Sequence, residues 1–506
     1  MNTEFIPCPA PFNMAAHVLA HADRLGDKVA LAIVSNKGAK RYHYAQIKSH
    51  VLAIARGFQN MGLVAGDRVL MRLGNCVEFP LTYLAALAVD MVPVPTSSQL
   101  TADEVQKIVD EVAPSVIVRS PDVACPATTC PVIDTAALQS FYTNPPAEFV
   151  FGDPDRLGYI VYTSGTSGRP QAVMHAHRAI WARQMMIRDW YDLCETDRLL
   201  HAGAFNWTFT LGTGVMDPWT VGATALIPQA GTDASILPLL LKRFDATIFA
   251  AAPGVYRKVL QGFPNNYSLP KLRHGLSAGE KLPPRTSASW AERTGTRVYE
   301  AFGMSECSTF ISANPTRPAT TDVLGWPQRG RQVAIVDPDT GHPVTQETEG
   351  VIAIHNTDTG LMLGYWNAPD ATAEKFKGDW FLTGDFGVET PDGAIAYLGR
   401  RDDMMNAGGI RVSPIEVETQ LLRHPDITSV AVTDIEIKSD TFIIVAFYTG
   451  SRELTHAEMT EFCKEALAQY KQPRASVRLD ALPTNPNGKI SRKALKTYKD
   501  MLNGKA

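Results

Sequence analysis

The segment YTSGTSGRPQAVMHAH, residues 162–177, crowds hydroxyl side chains and glycines into positions 163–168 and closes them with Pro170. Small residues let a backbone approach a phosphate that a larger side chain would hold off, and hydroxyls and N–H groups can then converge on the anion. LGYIVYT precedes the loop and HRAIWARQMMIRDWY follows it, so the loop is expected to join a strand to a helix, a favourable place for an anion. It is not the phosphate loop of ATPases, which needs GxxxxGK followed by Ser or Thr. Here Arg169, Pro170 and Gln171 follow Gly168, and the only comparable lysine, in NGKIS at 487–491, has no glycine at the required distance upstream. A polar surface turn is the alternative reading. His175 and His177 read as surface or helix-start residues, since a metal site usually needs further ligands.

Working outward, the 506 residues allow two or three domains. Hydrophobic residues make up 45% and charged residues 20%, with a net charge of −4, which gives no sign of a nucleic-acid surface or a polybasic membrane patch. Seven scattered cysteines suit a reducing compartment better than a disulfide framework. Cys125 and Cys130 in CPATTC lack further ligands. The start, MNTEFIPCPAPFNM, has no basic n-region or apolar core of a signal peptide. The most apolar stretch, FPLTYLAALAVDMVPVP, is broken by Asp90 and prolines, too short for a membrane span. A soluble cytoplasmic protein is expected.

The first half alternates helix and strand patterns. YAQIKSHVLAIARGFQNMGL (44–63) spaces Ile47, Val51, Ile54 and Phe58 as an amphipathic helix. DRVLMRL (67–73), SVIVRS (115–120), LGYIVYTS (157–164), ATALIP (223–228) and ATIFAA (246–251) read as short buried strands, which points to α/β layers with parallel strands. From about residue 320 the strands RQVAIVDPDTGHPV, EGVIAIHN and GAIAYLGR are separated by Asp-Pro, Asp-Gly and Thr-Gly turns, an antiparallel texture. Beyond GRRDDMMNAGGIRVS (399–413), helix 414–423, strands 428–434 and 441–448 and helix 456–470 suggest a small α+β domain.

Four further motifs carry chemistry. SAGEKL (277–282) and YEAFGMSECS (299–308) combine small residues, the aromatic Phe302 and the acid Glu306, suited to stacking on a base and to holding Mg²⁺ on phosphate. WFLTGDFG (380–387) reads as a strand entering a Gly-Asp turn, where Asp385 could accept two ribose hydroxyls. GRRDD with AGGIRVSPIEVE (407–418) supplies Arg400, Arg411 and the pair Gly408 and Gly409. PTNPNGKISRKALK (483–496) places Lys489 on a turn. Each taken singly has a plainer reading as buried aromatic, turn aspartate or solvated lysine.

In this order and spacing, the motifs resemble the adenylate-forming superfamily of acyl-CoA synthetases, nonribosomal-peptide adenylation domains and firefly-type luciferases. SAGEKLP and GYWNAPDATAEKF look most like its benzoate and medium-chain acyl-CoA ligases. The resemblance implies a large N-terminal domain (1–400) of α/β sheets packed with helices plus a β-barrel-like subdomain. A small mobile α+β domain (401–506) would follow it. It implies that Thr163, Ser164, Gly165, Thr166, Ser167 and Gly168, with Gln171, hold the ATP phosphates. Ala278, Gly279 and Glu280 would line the adenine, with Glu300, Ala301, Phe302, Gly303 and Met304 completing the nucleotide site. Ser305 would contact the α-phosphate, Glu306 would bind Mg²⁺, and Asp385 and Arg400 would hold the ribose. Lys489 would be the catalytic lysine of adenylation, Asp402 the hinge, and Gly408, Gly409 and Arg411 the CoA channel. The implied partners are ATP, Mg²⁺, CoA and a small carboxylic acid, with no nucleic acid; a homodimer is left open.

One departure from the family stands out: its loop usually ends Pro-Lys-Gly, and here it ends Pro170-Gln171-Ala172. The implied acid pocket, Phe205, Asn206, Trp207, Ala301, Gly303, Met304 and Phe310, is mostly apolar, which favours a compact aryl, alicyclic or small acyl carboxylate. No acidic residue stands near Asn206 to pair with an amino-acid ammonium. Loading of a carrier protein, a luciferase-type oxygenation and non-catalytic nucleotide binding are the other readings.

Overall fold

The strands Val29–Val34, Arg198–His201, Thr224–Pro228, Ile248–Ala250 and His274–Ala278 are short and almost wholly buried, and Val298–Met304 is partly buried. Such runs suit a parallel sheet covered on both faces. The computed structural model describes residues 6–163, 170–263, 267–320, 323–400, 405–407, 410–438, 441–464, 467, 469–484 and 490–498. In it these six strands pair in parallel in the spatial order 298–304, 274–278, 248–250, 198–201, 224–228, 29–34. Antiparallel strands close both edges: Ala39–His43 beside Val29–Val34, and Ser308–Ser312 then Trp326–Pro327 beside Val298–Met304.

Strand residues alternate between faces, and the packing follows. Leu200, Leu226 and Phe249 join Tyr256 and Trp290 in one core, whereas Leu199, Ile248, Leu276 and Ala301 join Trp190 and Phe209 in the other. A second parallel sheet is built from Val92–Pro95, Arg68–Arg72, Val116–Arg119 and Val132–Asp134. The helix Tyr44–Asn60 forms as its spacing predicts. Thr101 and Glu104 cap the helix Ala102–Val112 reciprocally, satisfying N–H groups that its first turn cannot pair.

The expected strand-to-helix connection at the quoted loop is corrected. Positions 163–171 join Leu157–Tyr162 to a second strand, Ala172–Ala176, which runs antiparallel to it and also pairs with Gly364–Tyr365. The element that follows the loop in the chain is therefore a strand, not a helix. The helical stretch after it is broken into Ala179–Ala182, Gln184–Met186 and a π-turn at Ile187–Tyr191.

The chain divides into two compact units, residues 1–333 with 354–381, and residues 334–353 with 382–506. The second unit therefore takes in strands ahead of residue 401. Within it, Ile427–Lys438 and Thr441–Gly450 form an antiparallel pair, and Ala475–Arg478 adds in parallel to the latter. The helices Pro414–Leu421 and His456–Lys464 accompany them. Arg492 clamps Glu418 at 2.7 and 2.9 Å. Among the described residues, no helix is long and apolar enough to cross a membrane.

Candidate active site

The site grows from the turn after strand Val298–Met304. The chain reverses at Ser305–Cys307 and returns antiparallel as Ser308–Ser312. Gly303 is required because a Cβ there would lie 2.2 Å from the Ser308 carbonyl oxygen. Ser308 itself holds a left-handed φ of 61°, uncommon for a residue with a side chain. Arg331 fixes the turn from beneath. Its guanidinium donates to the carbonyls of Thr309 at 2.9 Å and Cys307 at 3.2 Å, and it pairs with buried Asp358 at 2.9 Å.

On this turn Glu306 is buried, and the Tyr365 hydroxyl donates to its Oε1 at 2.8 Å. Ser305 is held through its carbonyl, which accepts from His175 Nε2 at 2.7 Å. That bond fixes the neutral Nε2–H tautomer of His175, and burial lowers its pKa to about 4. His177 is likewise buried; its Nδ1 accepts from the Met14 N–H at 3.1 Å. Both histidines thus lie in the interior, not at the surface, because the strand Ala172–Ala176 runs through the core. No group of three or more metal-ligating side chains occurs among the described residues. A lone carboxylate such as Glu306 still fits Mg²⁺, which is commonly held by one or two carboxylates together with substrate phosphates.

Thr163 and Gln171 close the base of the quoted loop. The Thr163 N–H donates to the Gln171 carbonyl at 2.9 Å, and the Gln171 N–H donates to Thr163 Oγ1 at 3.3 Å. Ser164, Gly165, Thr166, Ser167 and Gly168 lie outside the described residues, as do Asp402, Gly408, Gly409 and Lys489. The backbone of Arg411 belongs to strand Ile410–Val412, and its side chain is outside the description. Ala278 ends its strand, Gly279 follows with φ 98°, and the Trp207 ring lies 2.7 Å from where a Gly279 Cβ would be. Glu300 accepts from the Leu282 N–H at 2.6 Å, and burial pushes its carboxyl up to about 7. Phe302 meets Phe310 edge-on at 5.5 Å.

In the second unit Asp385 and Arg400 stand opposite one another in the pairing of Trp380–Glu389 with Ile395–Arg400. Asp385 therefore sits inside a strand, not in the expected Gly-Asp turn. The Tyr397 hydroxyl donates to its Oδ1 at 2.8 Å.

A narrow cavity, about 430 Å³ counting the open space at its mouth but only about 20 Å³ open to the centre of a water molecule, is lined by Phe205, Asn206 and Ser305 together with Tyr83, Tyr159, His175, Arg183, Met216 and Ser308, among others. Of the residues expected in the acid pocket, Phe205 and Asn206 lie on this wall. Trp207 packs beside Gly279, Ala301 and Phe310 are core residues, Gly303 serves the hairpin, and Met304 is half-buried off the wall. Asn75 positions the loop, accepting from the Phe205 N–H at 2.9 Å and donating to the Gly203 carbonyl at 2.7 Å.

Sequence reading missed the polar part of this wall. Arg183 pairs with Asp217 through Nε at 2.8 Å and Nη2 at 2.6 Å, and its Nη1 donates to the Ser308 hydroxyl. Tyr191 donates to Asp217 at 2.7 Å. Gly212 makes room, since a Cβ there would lie 2.3 Å from Arg183 Nη2. Burial alone would lower the pKa of Arg183; Asp217 and Tyr191 more than reverse that. A signal was present in the sequence, because both charges interrupt apolar runs, IWARQMM and GVMDPW.

The family described as AMP-binding enzyme matches residues 18–366, and that of the AMP-binding enzyme C-terminal domain matches residues 416–489. The human mitochondrial acyl-coenzyme A synthetase ACSM2A is 26% identical over 539 aligned residues, spanning 98% of this chain and 92% of its own. The benzoate–CoA ligase of Thauera aromatica is 29% identical over 464, spanning 86% and 87%. Two solved structures share the fold at 24% identity. The anthranilate CoA ligase AuaEII in complex with anthranoyl-AMP has a TM-score of 0.87, covering 98% of this chain and 99% of its own. A benzoate CoA ligase from Burkholderia xenovorans has a TM-score of 0.83, covering 96% and 100%.

Proposed function

The chain belongs to the AMP-binding enzyme family, and from that membership we infer that it is an ATP-dependent acid–thiol ligase, joining a small carboxylic acid to coenzyme A through an acyl-adenylate. The observation that carries this reading is the cavity whose wall includes Ser305, the neighbour of Glu306 on the AFGMSE hairpin. An acid held there lies beside the residues assigned to the α-phosphate and the metal. Relatives named as acyl-coenzyme A synthetase and benzoate–CoA ligase support the same chemistry.

A carboxylate is a poor acyl donor, because its charge repels nucleophiles and oxide does not leave. Its oxygen attacks the α-phosphorus of ATP, a P–O bond forms, and the bond to the β-phosphate breaks to release pyrophosphate. A thiolate then displaces AMP from the acyl carbon. The chain's own part is to place these groups and balance charge. Thr163 and Gln171 tie the base of the phosphate loop, Ser305 meets the α-phosphate, and Asp385 with Arg400 holds the ribose. Glu306 would hold Mg²⁺, whose charge offsets that gathering on the phosphoryl oxygens. The reading also assigns Lys489 to adenylation, Asp402 to the hinge of a mobile domain 401–506, and Gly408, Gly409 and Arg411 to CoA.

Pyrophosphate release from ATP with a panel of aryl, alicyclic and short acyl acids, with and without CoA, tests the assignment. Acid-dependent release with CoA-dependent thioester is the expected result. Release without thioester formation would replace CoA by a carrier protein, and no release with any acid would overturn the reading.

A further inference from the structure

We propose that the acid taken by this cavity carries an uncharged oxygen substituent, a hydroxyl or a carbonyl, away from the carboxylate that is activated, so that a plain hydrocarbon acid is the poorer substrate. The inference rests on the ligase reading above and narrows it.

Five hydroxyls and one guanidinium stand on the wall: Tyr83, Tyr159, Thr208, Ser305, Ser308 and Arg183. Tyr83 is 1% exposed and Tyr159 9%, and neither phenol is paired with a described residue. Neither phenol oxygen is among the fully enclosed side-chain atoms that lack a partner, so each reaches the cavity and can bond to what fills it. Burial raises both phenol pKa values, so each stays neutral and can donate.

Ser308 adds a directed donor. Its oxygen accepts from Arg183 Nη1, which turns its own proton toward another acceptor. The left-handed φ of 61° that puts it there is costly for a serine, and such strain collects where a side chain must be aimed. The charge of Arg183 is already matched by Asp217, so the wall is polar without net charge. That excludes a second carboxylate as the preferred substituent and favours a neutral oxygen. Pro95, Val161, Phe205, Leu211 and Met216 supply the apolar remainder of the wall, against which a ring or short chain would lie.

The test compares matched acids on one preparation: benzoate against 3- and 4-hydroxybenzoate, and hexanoate against 5-oxohexanoate. Pyrophosphate release gives kcat/KM, and calorimetric binding of the same acids gives a readout independent of turnover. In at least one pair the oxygenated acid should be favoured about tenfold or more, the effect of one buried hydrogen bond. Ser308→Ala and Ser308→Gly, the second also relieving the left-handed backbone, should both shrink that ratio several-fold, as should Tyr83→Phe. Turnover with no preference in any pair, or a ratio that survives both Ser308 variants, overturns the inference and leaves the ligase reading intact. A binding preference without pyrophosphate release overturns the ligase reading and leaves the chemistry of the pocket standing.

Discussion

Replacing Asp217 by asparagine tests the energetics of the cavity wall most directly. Asp217 is 2% exposed and Arg183 7%, and the carboxylate presents two acceptors to Nε at 2.8 Å and Nη2 at 2.6 Å while also accepting from Tyr191 at 2.7 Å. Asparagine keeps one acceptor and turns its NH₂ toward an N–H or O–H donor. Arg183 is then left charged and uncompensated in the interior. Removing one partner of a buried pair typically costs about 3–5 kcal/mol, whereas an exposed pair is worth about 0–1 kcal/mol. Asp217→Asn is therefore expected to lose about 3–5 kcal/mol. The double variant Arg183→Met with Asp217→Leu should recover much of this, because both desolvation costs vanish together. Since a chain of two units need not unfold in one step, hydrogen exchange of the segments 183–191 and 213–219 is the suitable assay, alongside urea midpoints. A loss below about 1 kcal/mol would mean that the pair is solvated, and the argument from burial would fail. A second readout follows from charge: in Asp217→Asn the wall becomes positive, and dicarboxylic acids should gain over their monocarboxylic parents.

Three further outcomes are expected. His201 is fully buried, neither ring nitrogen has a hydrogen-bond partner, and burial lowers its pKa from 6.5 to about 3. The unfolded chain therefore takes up the proton first, and stability falls as pH drops below 6.5. At pH 5 the loss is about 2 kcal/mol, so His201→Leu should keep about 2 kcal/mol more of its pH 8 stability than the parent; equal acid losses would remove His201 from the account. Lys489→Ala should abolish acid-dependent pyrophosphate release yet spare thioester formation from supplied acyl-adenylate, and survival of both half-reactions at parental rates would cancel its role. Gln171→Lys should tighten ATP by about tenfold or more, a charge-assisted bond being worth about 1.5–3 kcal/mol; unchanged ATP binding would show that the loop does not need the family's lysine.

Much of the fold was legible because the buried strands announce themselves locally. Apolar runs such as VIVR and TALIP fit little else between turn residues. The misreadings share a physical cause, namely pairing with distant residues. AVMHA reads as the tail of the loop in isolation, yet its backbone is claimed by Leu157–Tyr162 on one side and by Gly364–Tyr365 on the other. Gly384-Asp385 has the composition of a turn, yet the strand continues because Ile395–Arg400 pairs along it. Tertiary context overrode local preference in both places.

The same contrast separates the motif residues from those that line the cavity. Glu306 and Gly303 can be found by pattern, since the chemistry and the hairpin each demand one residue type at one place. Arg183, Asp217 and Ser308 come together from positions far apart in the chain, and no spacing rule joins them. Their one local trace is a charge inside an apolar run, and burying such a charge requires a partner. Ser308 links the two sets, because the close backbone approach at Gly303 that shapes the AFGMSE hairpin also sets the hydroxyl on the cavity wall. A substitution at Ser308 should therefore alter which acid is chosen, while one at Glu306 should alter whether any acid is activated.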